Sequence, residues 1–142
     1  MSRVVLEAIT KRYPGDVEAV SGVSLVVDDG EFVTLVGPSG CGKTTTLRTI
    51  AGFEQPTQGF VGINNNRVNT VPPDKRDIGM VFQDFALFPH KTVAQNIGYG
   101  LQVRGYDSDR IDDRVNEMLE LVELPKTRDR MPDQLSGGQQ QR

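Results

Sequence analysis

Apolar positions along the chain fall into short β-type runs near the N-terminus and helical periods further on. Val4, Val5, Leu6, Ala8 and Ile9 read as a first strand, and residues 23–27 as a second. The Asp28-Asp29-Gly30 step that follows is a turn signal between two β-rich runs, so a hairpin-like connection is predicted there. Residues 32–36 are nearly all apolar, the pattern of a strand buried on both faces of a parallel sheet. A Gly-rich stretch leads from that run into a predicted helix over 44–51, closed by Gly52. Residues 59–63 and 78–82 read as further short strands, and the Asn- and Pro-rich stretch 64–75 as a loop.

Helical signals dominate the second half. Thr92 and Gln95 form a plausible capping box for a helix over 92–102, against which Gly98 and Gly100 count. Ile111, Val115, Met118, Leu119 and Val122 recur at helical spacing, giving one apolar face of a helix capped near Ser108 and stopped before Pro125. Strands first, helices later, with a strand–loop–helix unit between them, predict an α/β fold.

That central unit carries chemistry. Gly37-Pro38-Ser39-Gly40-Cys41-Gly42-Lys43-Thr44 fits the pattern G-x-x-x-x-G-K-[ST]. Glycines let backbone N–H groups turn inward around an anion, and a helix N-terminus adds a favourable dipole. Lys43 is the candidate for neutralising β- and γ-phosphate charge, and the Thr44 hydroxyl for Mg²⁺, with Thr45 beside it in the first turn. The expected ligand is a nucleoside triphosphate. Cys41 admits two readings, a reactive thiol beside a helix start or a small residue that contributes only its N–H; the second fits the loop better.

Composition narrows the class. A length of 142 residues suits one modest domain. Sixteen Lys and Arg against nineteen Asp and Glu leave a net charge of -3, which counts against a general nucleic-acid binder. The 37% hydrophobic content, with no Trp, is lean for a self-sufficient core. A single cysteine excludes an intramolecular disulfide framework and suits a reducing compartment. No signal-peptide stretch or membrane-length apolar run occurs, so a soluble, cytosolic chain is expected.

A second motif, Leu135-Ser136-Gly137-Gly138-Gln139 followed by Gln140-Gln141-Arg142, lies beyond the amphipathic helix. With it the sequence resembles the ATP-binding subunits of ABC transporters, over essentially all of its length. Ser and two glycines at a helix start form a second anion cradle. The resemblance implies a P-loop NTPase core with an antiparallel β subdomain (about 1–30 and 55–75), a core (31–54 and 76–84) and a helical subdomain (85–142). It implies that two such subunits pair head to tail, as a homodimer or with a second ABC subunit, each ATP lying between one phosphate loop and the other subunit's signature.

Other residues take roles from the same resemblance. Tyr13 matches the aromatic that stacks on adenine, although a lone tyrosine is more often simply packing. Gln83, at the end of the predicted strand 78–82, matches the glutamine that reaches Mg²⁺ and the attacking water; an ordinary strand-end polar residue is the plainer reading. Phe85-Ala86-Leu87-Phe88 is either core or part of the groove that receives a helix of the transmembrane subunit. His90, the only histidine, precedes the signature and is read as a loop residue.

The stretch from Pro72 through Arg76 to Gln83, continuing to His90 and Asn96, resembles bacterial importers of polyamines, ferric iron, sulfate and maltose-type sugars. Such a resemblance implies permease partners, a periplasmic solute-binding protein at one remove, and a place on the cytoplasmic face of the inner membrane, with no nucleic-acid partner. The family's Walker B strand, which ends in a Mg²⁺-supporting Asp and a general-base Glu, has no counterpart here. Val23 to Asp29 is superficially similar but precedes the phosphate loop. The chain is therefore expected to be the N-terminal portion of a longer ATPase, marginally stable and nearly without turnover by itself. Two alternatives stay open: a non-hydrolysing ATP-binding fragment, and a soluble ABC ATPase acting on nucleic acid.

Overall fold

The computed structural model describes residues 3–76 and 78–142; Asp77, inside the motif running from Pro72 to Gln83, and the first two residues lie outside them. The chain forms two compact units, Met1–Met80 and Val81–Arg142.

In the first unit, β1 (Val4–Tyr13) and β2 (Val17–Val27) form an antiparallel hairpin with Val4 opposite Val27 and Tyr13 opposite Val17. The far edge of β1 pairs antiparallel with β3 (Gln58–Ile63), Leu6 facing Val61, and β3 with the two-residue β4 (Asn66–Arg67). The sheet order is β2-β1-β3-β4. Its inner face buries Leu6, Ile9, Val20, Val61 and Ile63 together with Val68. Helix α1 (Lys43–Ala51) packs Ile50 against this cluster, which anchors the phosphate-loop helix to the sheet. Gly52 ends α1 in the left-handed region at φ 88°, and its N–H donates back to the Thr49 carbonyl.

Arg76 holds that helix end. Its side chain is buried, and its guanidinium donates to the carbonyls of Thr49 (2.9 Å) and Ile50 (2.7 Å) in α1's last turn. It also donates to the Val71 carbonyl at 2.8 Å, which ties the β4 loop to the helix. A cation at a helix C-terminus complements the dipole and satisfies carbonyls that lack intrahelical donors. Burial pushes the guanidinium below its usual pKa, yet arginine keeps its charge. The residue was not singled out from sequence.

Several expectations are corrected. Residues 32–36 and 78–82 form no strand, and Phe32, Val36 and Val81 are almost fully exposed. An apolar run encodes a demand for burial but supplies no ladder partner, and none of β1 to β4 pairs with either run. Asp28 to Gly30 does turn, with Glu31 N–H donating to the Asp28 carbonyl, but the partner of β2 is β1, joined through Pro14-Gly15-Asp16. Residues 64–75 are not wholly loop, since they include β4 and a 3-10 turn at Pro73–Lys75.

In the second unit, α2 (Val93–Val103) and α3 (Ser108–Leu121) pack through Val93, Ala94, Ile97, Ile111, Val115 and Leu119. The Thr92–Gln95 capping box is formed in both directions. The N-cap of α3 is Asp107, one residue before the predicted position. Gly98, a weak point for a helix by propensity, is buried where α2 meets α3: an added Cβ would lie 2.8 Å from Ile111 Cγ2. Gly98→Ala therefore gains about 1 kcal/mol of helix propensity but overpacks against a stiff β-branched side chain by about 1–3 kcal/mol. A net loss of about 1 kcal/mol is expected in urea unfolding of the native gene product; an unchanged or higher midpoint would contradict this packing.

Candidate nucleotide-binding site

The phosphate loop is shaped from both ends. Gly42, the N-cap of α1, sits at φ 91°, and an added Cβ would run into the Ala19 carbonyl of β2. Only glycine meets both conditions. The first intrahelical bond runs from Thr46 N–H to the Gly42 carbonyl at 2.8 Å, so the N–H groups of Lys43, Thr44 and Thr45 point out of the helix start. No side chain caps them, and no acidic residue occupies the first turn. The result is an array of donors with positive polarity.

Lys43 folds its ammonium into the loop, donating to the Gly37 and Pro38 carbonyls at 2.7 Å each and lying 3.4 Å from Cys41 Sγ. Cys41 is exposed, and its N–H closes a turn on the Pro38 carbonyl through Ser39 and Gly40. Thr44 is exposed on the same turn, whereas the neighbouring Thr46 hydroxyl is spent on the Gly42 carbonyl. The loop thus presents one ammonium, one hydroxyl and a fan of amides, a set suited to a polyphosphate.

Tyr13 ends β1, half-buried, with the Lys11 ammonium 5.0 Å from its ring centroid. Lys11 pairs with Glu54 at 2.9 Å and donates to the Gln55 carbonyl at 3.0 Å. The Lys11 hydrogen bond holds the Glu54 carboxyl below the usual carboxylate range, assisted by the Tyr13 hydroxyl.

The remaining residues belong to the second unit. Gln83 lies in a turn and not at a strand end, because residues 78–82 form no strand. Phe85 and Ala86 follow with positive φ. Phe88 is half-buried on Tyr99 of α2 (centroids 4.6 Å apart), and Asn96 clamps its backbone in both directions. Phe85 instead lines an apolar cavity of about 410 Å³ with Leu87, Ile97 and Leu135. His90 is an exposed loop residue.

The Leu135-Ser136 step opens α4 (Gly137–Gln141). Ser136 Oγ accepts from Gln139 N–H at 3.3 Å, and Gln139 Oε1 accepts from Ser136 N–H at 3.0 Å. Gln140 fastens the turn through the Pro132 carbonyl at 2.7 Å. Gly137 and Gly138 have no positive φ, and an added Cβ at either would meet nothing within 4 Å. Unlike Gly42, neither is required by its own fold.

The first unit therefore brings Tyr13 and the phosphate loop into one body, while Gln83 and Leu135 to Gln139 share the other. Sequence reasoning missed Arg76, the Lys11–Glu54 pair and the Ala19 carbonyl that selects Gly42. Among the described residues no helix is long and apolar enough to cross a membrane, and no cluster of three His, Cys, Asp or Glu could hold a metal ion.

The fold and loop define a P-loop NTPase of the cassette type. A solved ATP-binding cassette, a dimer in a post-hydrolysis state bound to ADP and Pi, superposes with a TM-score of 0.88 at 36% identity, over 97% of this chain and 65% of that one. The profile of the ABC transporter family matches residues 20–142, and the chain belongs to that family. The sn-glycerol-3-phosphate import ATP-binding protein UgpC of Brucella abortus (strain 2308) is 50% identical over all 142 residues, which cover 40% of that protein. The UgpC of Rhizobium meliloti (strain 1021) is 49% identical, with 41% of its length covered. The chain spans about two fifths of the length of these curated relatives.

Proposed function

We propose that this chain is the ATP-binding portion of an ABC importer subunit, which couples ATP binding and hydrolysis to solute uptake through permease partners at the cytoplasmic face of the membrane. The observation that carries it is the phosphate loop: three outward N–H groups, a lysine inside the loop and a glycine no other residue can replace. Lys43 and the amides of the first turn bind the phosphates, and Tyr13 receives the adenine. The Thr44 hydroxyl is an oxygen donor for Mg²⁺, which suits a hard cation; Gln83 keeps the role that the family resemblance implies for it. Once bound, Mg²⁺ draws charge from the phosphates.

Leu135 to Gln139 serve a second subunit's nucleotide in a head-to-tail dimer. Gly137 and Gly138 support this reading: each costs about 0.5–1 kcal/mol in a helix relative to alanine, with no return inside the chain, so their smallness suits a group arriving from outside. The dimeric, ADP-bound state of the solved relative agrees with it. The relatives' names make sn-glycerol-3-phosphate the first solute to test, with a periplasmic binding protein delivering it.

The test is a comparison of Ser136→Ala and Gly138→Ala with the wild-type native gene product. ATP affinity of the monomer is expected to stay within about twofold, and thermal stability unchanged or slightly higher for Gly138→Ala. Dimer formation with MgATP, followed by sedimentation, is expected to be lost. Retained dimerisation, or a fall in monomer affinity, would refute the assignment.

A further inference from the structure

Lys11 and Glu54 come from distant parts of the chain and meet beside Tyr13. Their ion pair is 2.9 Å long, and both side chains are largely covered, 15% and 21% exposed. That burial distinguishes it from the other ion pairs among the described residues, each with at least one partner far more open. The Lys11 ammonium does three things at once. It pairs with Glu54, donates to the Gln55 carbonyl at 3.0 Å and lies 5.0 Å from the Tyr13 ring centroid. A cation at that distance is attracted to the ring face.

Glu54 in turn belongs to the end of the phosphate-loop helix. Its N–H and that of Phe53 both donate to the Arg48 carbonyl, in the turn that Gly52 closes. A continuous path of short contacts thus runs from α1 through Glu54 and Lys11 to Tyr13.

We propose that the Lys11–Glu54 pair is a positioning pair that holds the Tyr13 ring as the platform for the nucleobase and references it to the end of the phosphate-loop helix. The inference rests on the reading of Tyr13 as the base-stacking residue. Lys11 and Glu54 touch no phosphate in this scheme. They act through Tyr13, so their effect belongs to ligands that carry a base.

The experiment measures calorimetric affinities of the native gene product for MgATP and for inorganic tripolyphosphate with Mg²⁺. Variants are Tyr13→Ala, Glu54→Ala, Glu54→Gln, Lys11→Met and the Tyr13→Ala/Glu54→Ala double. Tyr13→Ala is expected to weaken ATP binding about tenfold, as loss of one stacked base does, and to leave tripolyphosphate binding unchanged. Glu54→Ala and Lys11→Met are expected to weaken ATP about three- to fivefold with tripolyphosphate again unchanged, and Glu54→Gln to fall between. In the Tyr13→Ala background, Glu54→Ala is expected to add nothing.

Equal losses for both ligands in Glu54→Ala would mean a merely structural role and overturn the proposal. So would a Glu54 effect that persists without the tyrosine, or no effect at all in a Tyr13-dependent protein. If Tyr13→Ala leaves ATP affinity intact, the stacking reading itself fails, and that outcome is distinct from the others.

Discussion

Arg76→Ala is expected to lower the unfolding free energy by about 3 kcal/mol, the cost of stranding buried carbonyls and opening a void. The wild-type guanidinium serves Thr49, Ile50 and Val71 at 2.7 to 2.9 Å, and the Asn69 carbonyl more loosely. It also fills the space against which Gly52 turns, since an added Cβ there would sit 2.5 Å from Arg76 Nε. Among the described residues, its bonded partners are all backbone carbonyls. The expected loss comes from the helix end and the cavity. Arg76→Lys keeps a cation but reaches fewer carbonyls, so it should recover part of the loss. Arg76→Met keeps the stem without donors and should recover less. Urea unfolding of the native gene product is the measurement; a loss under about 0.5 kcal/mol for the alanine variant would show that the clamp is dispensable.

The second large effect concerns ligand binding. Lys43→Ala is expected to raise the Kd for MgATP by about 100-fold, because a charged partner of a bound polyphosphate is removed. Stability should change by less than about 1 kcal/mol, since the Lys43 ammonium is only partly covered and its loop carbonyls can turn to water. Lys43→Arg should not rescue binding, because a planar fork does not fit where a compact ammonium lies between the Gly37 and Pro38 carbonyls. Calorimetry on folded protein, verified by circular dichroism, decides it. A change below about fivefold would place the phosphates elsewhere.

Local chemistry was legible in the sequence because its partners are close along the chain. The capping box of Thr92 and Gln95, the helix start at Ser136 and the closing Gly52 each depend on bonds spanning three or four residues. The helical face of Ile111, Val115 and Leu119 is a matter of period. The phosphate loop reads from spacing because one stretch of backbone supplies nearly all its donors. Gly98 shows the limit: propensity marked it as a weakness, whereas contact with Ile111 makes it a requirement.

What tertiary structure decided has partners far apart. Arg76 reaches carbonyls 26 and 27 positions away, and Lys11 a carbonyl 44 positions away, so no local pattern could announce either. The partner of β2 was likewise a choice between two neighbours of similar β character, and β1 won through the turn at Gly15 and Asp16. Residues 32–36 form no strand for the converse reason. Their side chains state how apolar the surroundings must be, but hydrogen bonding to a neighbouring strand makes a strand, and only the assembled sheet determines where that neighbour lies. The sequence by itself thus determined the anion-binding chemistry and the helices, which are local. The fold determined how the helix carrying that chemistry is held, because a buried cation or ion pair is stable only where the chain brings its partners together.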